Sequence, residues 1–290
     1  MSLGATIKEI RKSKGMNQDA LAQGIMSRSN LSRFEGGSYF PGYPKFVQVL
    51  DRLEMSLEEL LLLQNGLVPP LKRRFHLDMV EAGNRYDFAK VKAISRECLA
   101  LYEETRTETY YHLYLLGQGV LIQHSRPDQI RERKDIAAVI KPYLLGVENW
   151  YLYEFKLLNN FLFSLDLEDA IFFGTRAVSE FTRYQHFIEG MTTQQHLMQN
   201  IALHCLENRE YGKSLIFFEK ALSLADKTNL LYDKIITCIY YEIALICLNK
   251  RNTSENLAGY LDVLKRLDFT DSYQALLQDC LKHIPSFRMP

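Results

Sequence analysis

The stretch IKEIRKSKGMNQDALAQGIMSRSNLSRFEGG, residues 7–37, decides how the chain begins to fold. It reads as a basic first helix, a short second helix, a tight turn and a third helix rich in Arg and Ser. Asn17 is the expected N-cap of a second helix that starts at Gln18 and turns Leu21 and Ala22 inward. Gly24 supplies the permissive backbone position at the end of that helix. Ser27 caps the third helix, where Leu31 and Phe34 stand three residues apart and face a core. With about 100° of rotation per residue, the opposite side carries Ser29, Ser32 and Arg33, with Arg28 on its flank. A helix about 12 Å across fits the major groove of DNA, where Arg and Ser can read base edges. Residues 1–35 hold Lys8, Arg11, Lys12, Lys14, Arg28 and Arg33 against Glu9, Asp19 and Glu35, so this end is locally basic. The acids Asp51, Glu54, Glu58 and Glu59 follow later, away from that face. Local charge governs phosphate contact, so the zero net charge of the chain is no obstacle.

Working outward, Glu35-Gly36-Gly37 ends the third helix and Pro41-Gly42-Tyr43-Pro44 reads as a rigid turn. Phe46, Val47, Val49, Leu50 and Leu53 then recur at helical spacing. Ser56 with Glu59 three residues on predicts a capping box that opens a fifth helix through Leu60 to Leu63. The expected head is therefore a five-helix domain over residues 1–65. Residues 66–70 are the expected linker, because Gly66 and the Pro69-Pro70 pair stop a helix and stiffen the chain.

At 290 residues the chain can bury more than one core. Its 47% hydrophobic and 24% charged content is that of a globular protein. No apolar run approaches the ~18 residues that span a bilayer, and no apolar leader opens the sequence, so the expected compartment is the cytoplasm, with no membrane partner. The five cysteines, Cys98, Cys205, Cys238, Cys247 and Cys280, show no CxxC spacing and read as free thiols, although an intermolecular disulfide stays open.

Beyond Pro70 the periodicity is helical only, and the expected fold is all-α. Residues 200–224, NIALHCLENREYGKSLIFFEKALSL, look like a tetratricopeptide repeat: one helix ends near Glu207 and a second opens at Tyr211 with Leu215, Phe218, Ala221 and Leu222 inward. An earlier copy spans residues 160–178, placing Ala170 and Ala177 about 44 residues before Ser214 and Ala221. A weaker copy lies around Leu257, Tyr260 and Leu264, and Arg85 to Leu99 could be the second helix of a first one. One helix pair cannot bury its apolar face alone, so stacked pairs share a core and curl into a superhelix with an inner wall. Residues 71–290 are expected to form this right-handed, tetratricopeptide-like array. A helical domain without repeats is the alternative.

Catalytic chemistry has no signature here. Gly117-Gln118-Gly119 lacks the third glycine and preceding strand of a dinucleotide loop, and GxSxG, Walker and HExxH patterns are missing. No enzyme activity, metal site or cofactor is expected. The suggestive residues are polar and aromatic ones on the first helices of the repeats: Trp150, Tyr153, Asn159, Asn160, Arg183, Tyr184, His186, Gln199, Asn200, His204, Tyr240 and Tyr241. Asn offers donor and acceptor to a peptide backbone, Arg clamps a carboxylate, and rings make apolar sub-pockets. Ordinary packing is the competing explanation for each one singly.

The head resembles the Xre-type repressor-like regulators, through Arg11 and Gly15 before the turn, Gln18, Leu21-Ala22, Ser27, and the run from Leu31 to Gly36. The whole chain is similar to the Rgg/GadR/MutR regulators of Gram-positive bacteria, with the run from Ser27 to Glu35 close to that family's recognition helix. The resemblance implies a homodimeric, cytoplasmic transcription regulator acting on a near-palindromic duplex operator. It also implies a quorum-sensing receptor whose array binds a short peptide pheromone on its concave face. Carried over residue by residue, it implies that Gln18 bonds a DNA phosphate with Arg11 nearby. Arg28, Ser29, Ser32 and Arg33 would then face bases or flanking phosphates, and the polar set above, without His186 and Gln199, would face the peptide. Some relatives tie their dimer through a cysteine near the fourth helix of the head; this chain has none before Cys98. Two other readings stay open: a regulator that senses no peptide and uses its array for dimerisation or docking, and a phage-type repressor or antitoxin with a protein partner.

Overall fold

The computed structural model describes residues 2–125, 130–184, 187–250 and 254–288. All regular structure among them is helical, in two units, residues 1–113 and 114–290.

The first unit opens with five short helices: α1 (Leu3–Ser13), α2 (Gln18–Ala22), α3 (Arg28–Glu35), α4 (Tyr43–Arg52) and α5 (Leu57–Gln64). Four start on a side-chain oxygen that takes an otherwise orphaned amide. Ser2 accepts from Ala5, Asn17 from Ala20, Ser27 from Asn30 and Ser56 from Glu59, at 2.8 to 3.3 Å. Each such cap stabilises its helix by about 1 kcal/mol. The fourth helix differs from expectation: it already begins at Tyr43, inside the predicted rigid turn, with Pro44 in its first turn. Proline fits there because the first-turn amides have no partner within the helix.

Ile7, Leu21, Leu31, Phe34, Val49, Leu53 and Leu60 meet at the centre of these helices, almost completely buried. Burying each such side chain is worth about 1.5–3 kcal/mol. Two glycines shape the bundle. Gly24 has φ of +73°, a conformation other residues resist, and it redirects the chain from α2 to α3. Gly4 lies where α1 crosses α3 so closely that an added Cβ would stand 1.8 Å from the Phe34 carbonyl oxygen. The unit continues through α6 (Leu71–Asn84) and α7 (Phe88–Thr105), which pack as a pair, into α8 (Glu108–Ser125), within which the division between units falls.

The second unit continues from α8 with α9 (Ile130–Gly146), α10 (Leu152–Phe161), α11 (Leu167–Glu180), α12 (Ile188–Glu207), α13 (Tyr211–Thr228), α14 (Leu231–Cys247), α15 (Glu255–Arg266) and α16 (Thr270–His283). Short 3-10 turns, Leu162–Ser164 and Phe181–Tyr184, follow α10 and α11. From α11 on, helices adjacent in sequence pack together, and α10 with α12, α12 with α14 and α14 with α16 touch as well. That double neighbourhood is what stacked helix pairs produce. Ala170, Ala177, Ser214 and Ala221 are all fully buried, matching the 44-residue offset that paired them. The turns before α7, α13 and α15 share a residue in the left-handed region, at Tyr86, Arg209 and Asn249. Gly119 is a packing glycine, as an added Cβ would lie 2.6 Å from the Phe163 ring.

Candidate functional site

The capping hydroxyl of Ser27 and the buried pair Leu31 and Phe34 set the rotation of α3. With those two inward, Arg28, Ser29, Ser32 and Arg33 are all exposed. Arg28 makes a loose ion pair with Asp19 at 3.8 Å, and both side chains are about two-thirds exposed, so the pair gives little resistance to a competing phosphate. The Arg33 guanidinium lies 5.9 Å from the centre of the Tyr39 ring, which supports it from the side. The face therefore offers two guanidiniums and two hydroxyls to solvent, a donor set suited to base edges and phosphates.

Arg11 is placed elsewhere than expected. It is buried, with Nε donating to Glu35 Oε1 at 2.6 Å, Nη2 to Glu35 Oε2 at 2.9 Å and Nη1 to the Met16 carbonyl at 2.7 Å. Its donors are turned into the protein, so Arg11 holds α1 to α3 and has no place among the outward-facing residues. Gln18 is half-buried and donates to the same Glu35 carboxylate at 2.9 Å. Burial alone would raise the Glu35 pKa; the hydrogen bonds from Arg11 and Gln18 outweigh it and hold the carboxyl below its ordinary range. The network thereby locks the first residue of α2 to the last of α3. Sequence reading missed Arg52, whose Nη1 reaches the carbonyls of Ala20 at 3.3 Å, Leu21 at 3.1 Å, and Gln23. It caps the C-terminal end of α2 from α4, and no local pattern could reveal a partner about thirty residues away.

In the second unit the alternate helices are joined by a row of polar contacts. Asn200 Nδ2 donates to Asn159 Oδ1 at 2.9 Å between α12 and α10. His196 meets Asp233 at 3.3 Å, and Thr237 Oγ1 donates to Gln199 Oε1 at 3.1 Å, both between α12 and α14. Tyr240 donates to Asp279 Oδ2 at 2.6 Å between α14 and α16. Burial first, and then the Asp279 carboxylate, push the Tyr240 hydroxyl pKa well up. Tyr241 donates to Glu219 at 3.2 Å, while Asn160 and Tyr153 are half-buried on α10, with the Tyr153 ring edge-on to Tyr143 at 6.3 Å. Arg183 is exposed: it pairs with Glu180 at 2.7 Å, donates to the Trp150 carbonyl at 3.3 Å and covers the Tyr151 ring. Tyr184 packs edge-on to Phe155.

Trp150 corrects another expectation. It is fully buried, its Nε1 donates to the Leu144 carbonyl at 3.1 Å, its ring stacks on Phe173, and the Arg176 guanidinium lies over the same ring, 4.5 Å from its centre. It is a core anchor and offers no surface to a ligand. Arg176, which the sequence did not single out, ties the end of α9 through the carbonyls of Leu144, Val147 and Glu148. His204, half-buried, lines a cleft apart from these contacts, and His186 lies outside the described residues. The cysteines are free thiols, three of them buried. Among the described residues no helix is long and apolar enough to cross a membrane.

Comparison with known proteins finds matches for both ends of the chain. Residues 4–66 match a helix-turn-helix domain family, and residues 95–278 match the C-terminal domain of the HTH-type transcriptional regulator Rgg. Among solved structures, a transcriptional-regulator candidate from Listeria monocytogenes EGD-e superposes with a TM-score of 0.80 at 20% identity, over 97% of each chain. The SHP pheromone receptor Rgg2 of Streptococcus dysgalactiae gives a TM-score of 0.75 at 17% identity, over 98% of this chain and 100% of that one. PlcR of Bacillus thuringiensis, solved with the peptide PapR7 and DNA, gives 0.64 at 15% identity, over 93% and 98%. At these identities the likeness to solved structures establishes the fold, and the match of the C-terminal profile across most of the chain settles kinship: this protein belongs to the Rgg family of HTH-type transcriptional regulators.

Proposed function

We propose that this regulator works as a cytoplasmic homodimer whose hold on DNA is controlled by a short signalling peptide. In this reading residues 1–65 are the DNA-binding domain, 66–70 the linker, and 71–290 the sensing and dimerisation domain. The observation that carries the DNA part is the outward set Arg28, Ser29, Ser32 and Arg33 on a helix whose other side is locked by Leu31 and Phe34. Gln18 stands at the N-terminal end of α2 and contacts a backbone phosphate, where a helix N-terminus favours an anion. Two heads meet half-sites about one helical turn apart, or a multiple of that, on a near-palindromic operator.

The peptide reading is supported by the polar row across α10, α12, α14 and α16. Asn159, Asn160, Asn200, Tyr240 and Tyr241, with Tyr153, Arg183 and Tyr184 nearby, supply donors, acceptors and ring faces at successive alternate helices. Several already pair across helices, so a peptide that exchanges those pairs alters how the helices stack. A peptide shifts the regulator only by its differential affinity for the two stackings.

Fluorescence anisotropy with the operator of the protein's own promoter, at fixed salt, tests the DNA part. Arg28→Ala is expected to weaken binding by about 1–3 kcal/mol if its fork reads a base, and Arg33→Ala likewise, with the melting temperature unchanged. Unaltered affinity in both variants removes them from the interface. For the peptide part, Asn160→Ala or Arg183→Ala should leave operator binding intact and blunt the response to culture-derived or synthetic inducer. A parallel loss of folding and operator binding would return those residues to packing. A repeat array used only for dimerisation predicts that no peptide co-purifies with the protein under mass spectrometry.

A further inference from the structure

A cleft of about 570 Å³ opens in the second unit between α9, the turn joining α10 to α11, and the end of α12. Arg133, Lys134, Lys141 and His204 line it together with Asp166 and Asp169, over apolar surface from Phe163 and Leu165. Its acids are already committed. Asp166 Oδ1 caps α11 by accepting the Asp169 amide at 2.9 Å, and Asp169 holds Lys141 in an ion pair. Its other basic side chains are not. Arg133 Nε and His204 Nε2 are buried without a hydrogen-bond partner among the described residues. A buried guanidinium N–H left unpaired beside a polar cleft is costly and is satisfied most strongly by an anionic oxygen, and His204 Nε2 joins it as a donor when it carries a ring proton. The volume is that of a small-ligand site.

We propose that this cleft binds a carboxylate, with Arg133 and His204 as its donors and Phe163 and Leu165 as the wall for an apolar remainder. Lys134, exposed on the same lining, adds charge without a competing partner among the described residues. The inference stands on the cleft's own side chains and does not require the polar row to bind a peptide. The carboxylate belongs either to a small organic acid or to the C-terminal end of a peptide.

His204 makes binding sensitive to pH. Burial, the larger influence, lowers its pKa; the Leu165 carbonyl and the carboxylates of Asp166 and Glu207 act the other way, and Arg133 lowers it further. Lys134, Lys141 and Asp169 also line the cleft. An anion between Arg133 and His204 favours the imidazolium, so affinity for the acid strengthens as pH falls from the raised pKa of the complex toward that of the free ring, and is lost again once the ligand's own carboxylate takes up a proton.

The test titrates the full-length protein with isocaproate and with its neutral amide, isocaproamide, while following the ring resonances of His204, identified by their loss in His204→Gln. The acid is expected to raise the His204 pKa and to bind about tenfold more tightly than the amide. Arg133→Gln should erase that preference at an unchanged melting temperature. A second arm compares N-acetyl-trileucine with its C-terminal amide. A larger acid preference in this arm assigns the carboxylate to a peptide end, and a larger one with isocaproate assigns it to a small acid; either supports the site. Equal binding of acid and amide in both arms of the unmutated protein, or an unmoved His204, overturns it.

Discussion

The guanidinium of Arg11 lies side-on against the carboxylate of Glu35, with Nε 2.6 Å from Oε1 and Nη2 2.9 Å from Oε2, both side chains almost wholly out of solvent. This buried pair joins the first helix to the end of the third and orients the helix that carries Arg28 and Arg33. Removing one partner strands a buried charge, so Glu35→Leu should destabilise the head by about 3–5 kcal/mol in urea denaturation. The double variant Arg11→Met with Glu35→Leu should recover most of that loss, since the pair's attraction largely repays its own desolvation. A double variant as unstable as the single one would show that Arg11 does more than balance Glu35. The Glu35 pKa is held low in the fold. Its stabilisation is therefore complete above the ordinary carboxylate range and drains away as pH falls through the depressed value.

A methyl group at Gly4 has nowhere to go. Its Cβ would fall 1.8 Å from the Phe34 carbonyl oxygen and 3.1 Å from the Glu35 Cα, both backbone atoms. Gly4→Ala should cost about 3 kcal/mol or more and reduce operator affinity with it, because α3 must move away from α1. Near-wild-type melting of this variant would contradict the close crossing.

His112 is a second source of acid sensitivity. Its side chain is buried and desolvation pulls its pKa down to about 4, from 6.5. The ring is neutral in the fold and takes up a proton on unfolding, so the unfolded chain binds more protons between those values and stability falls as pH falls. The loss across that window should reach up to about 3 kcal/mol. Denaturation curves at several pH values check it: His112→Gln should flatten the dependence between about pH 6.5 and about pH 4, while Glu35 variants change it only below the ordinary carboxylate range.

Thiol reactivity should follow burial. Desolvation pushes Cys98 and Cys280 up to about 12 and Cys205 to about 11, which keeps them protonated. Cys238 and Cys247 are only half-buried. Iodoacetamide applied to the native protein should therefore label these two first, with the other three reacting only after denaturant is added. Rapid native labelling of Cys98 would place it nearer the surface.

The parts of this fold that could be read along the chain are the local ones. Asn17, Ser27 and Ser56 announced their helices because a cap bonds an amide only three residues on. The outward face of α3 followed from Leu31 and Phe34, and the α12–α13 pair from the spacing around Glu207 and Tyr211. Tyr43 was misread as part of a turn because proline breaks helix interiors yet suits a first turn. Trp150 was misread because an aromatic with one polar atom suits a ligand wall and a core equally well. The choice rested on whether the Leu144 carbonyl lay within reach of its indole N–H.

By itself, then, the sequence determined the helical class, the order of head and repeats, and which side of the third helix meets solvent. Those follow from the 3.6-residue period and from bonds between near neighbours. Only tertiary packing decided that Arg11 turns inward while Arg28 stays out, that alternate helices pair Asn159 with Asn200, and that Arg133 and His204 share one cleft. Their surroundings are built from residues far along the chain, and a charged or amide side chain carries no local sign of whether protein or solvent will satisfy it.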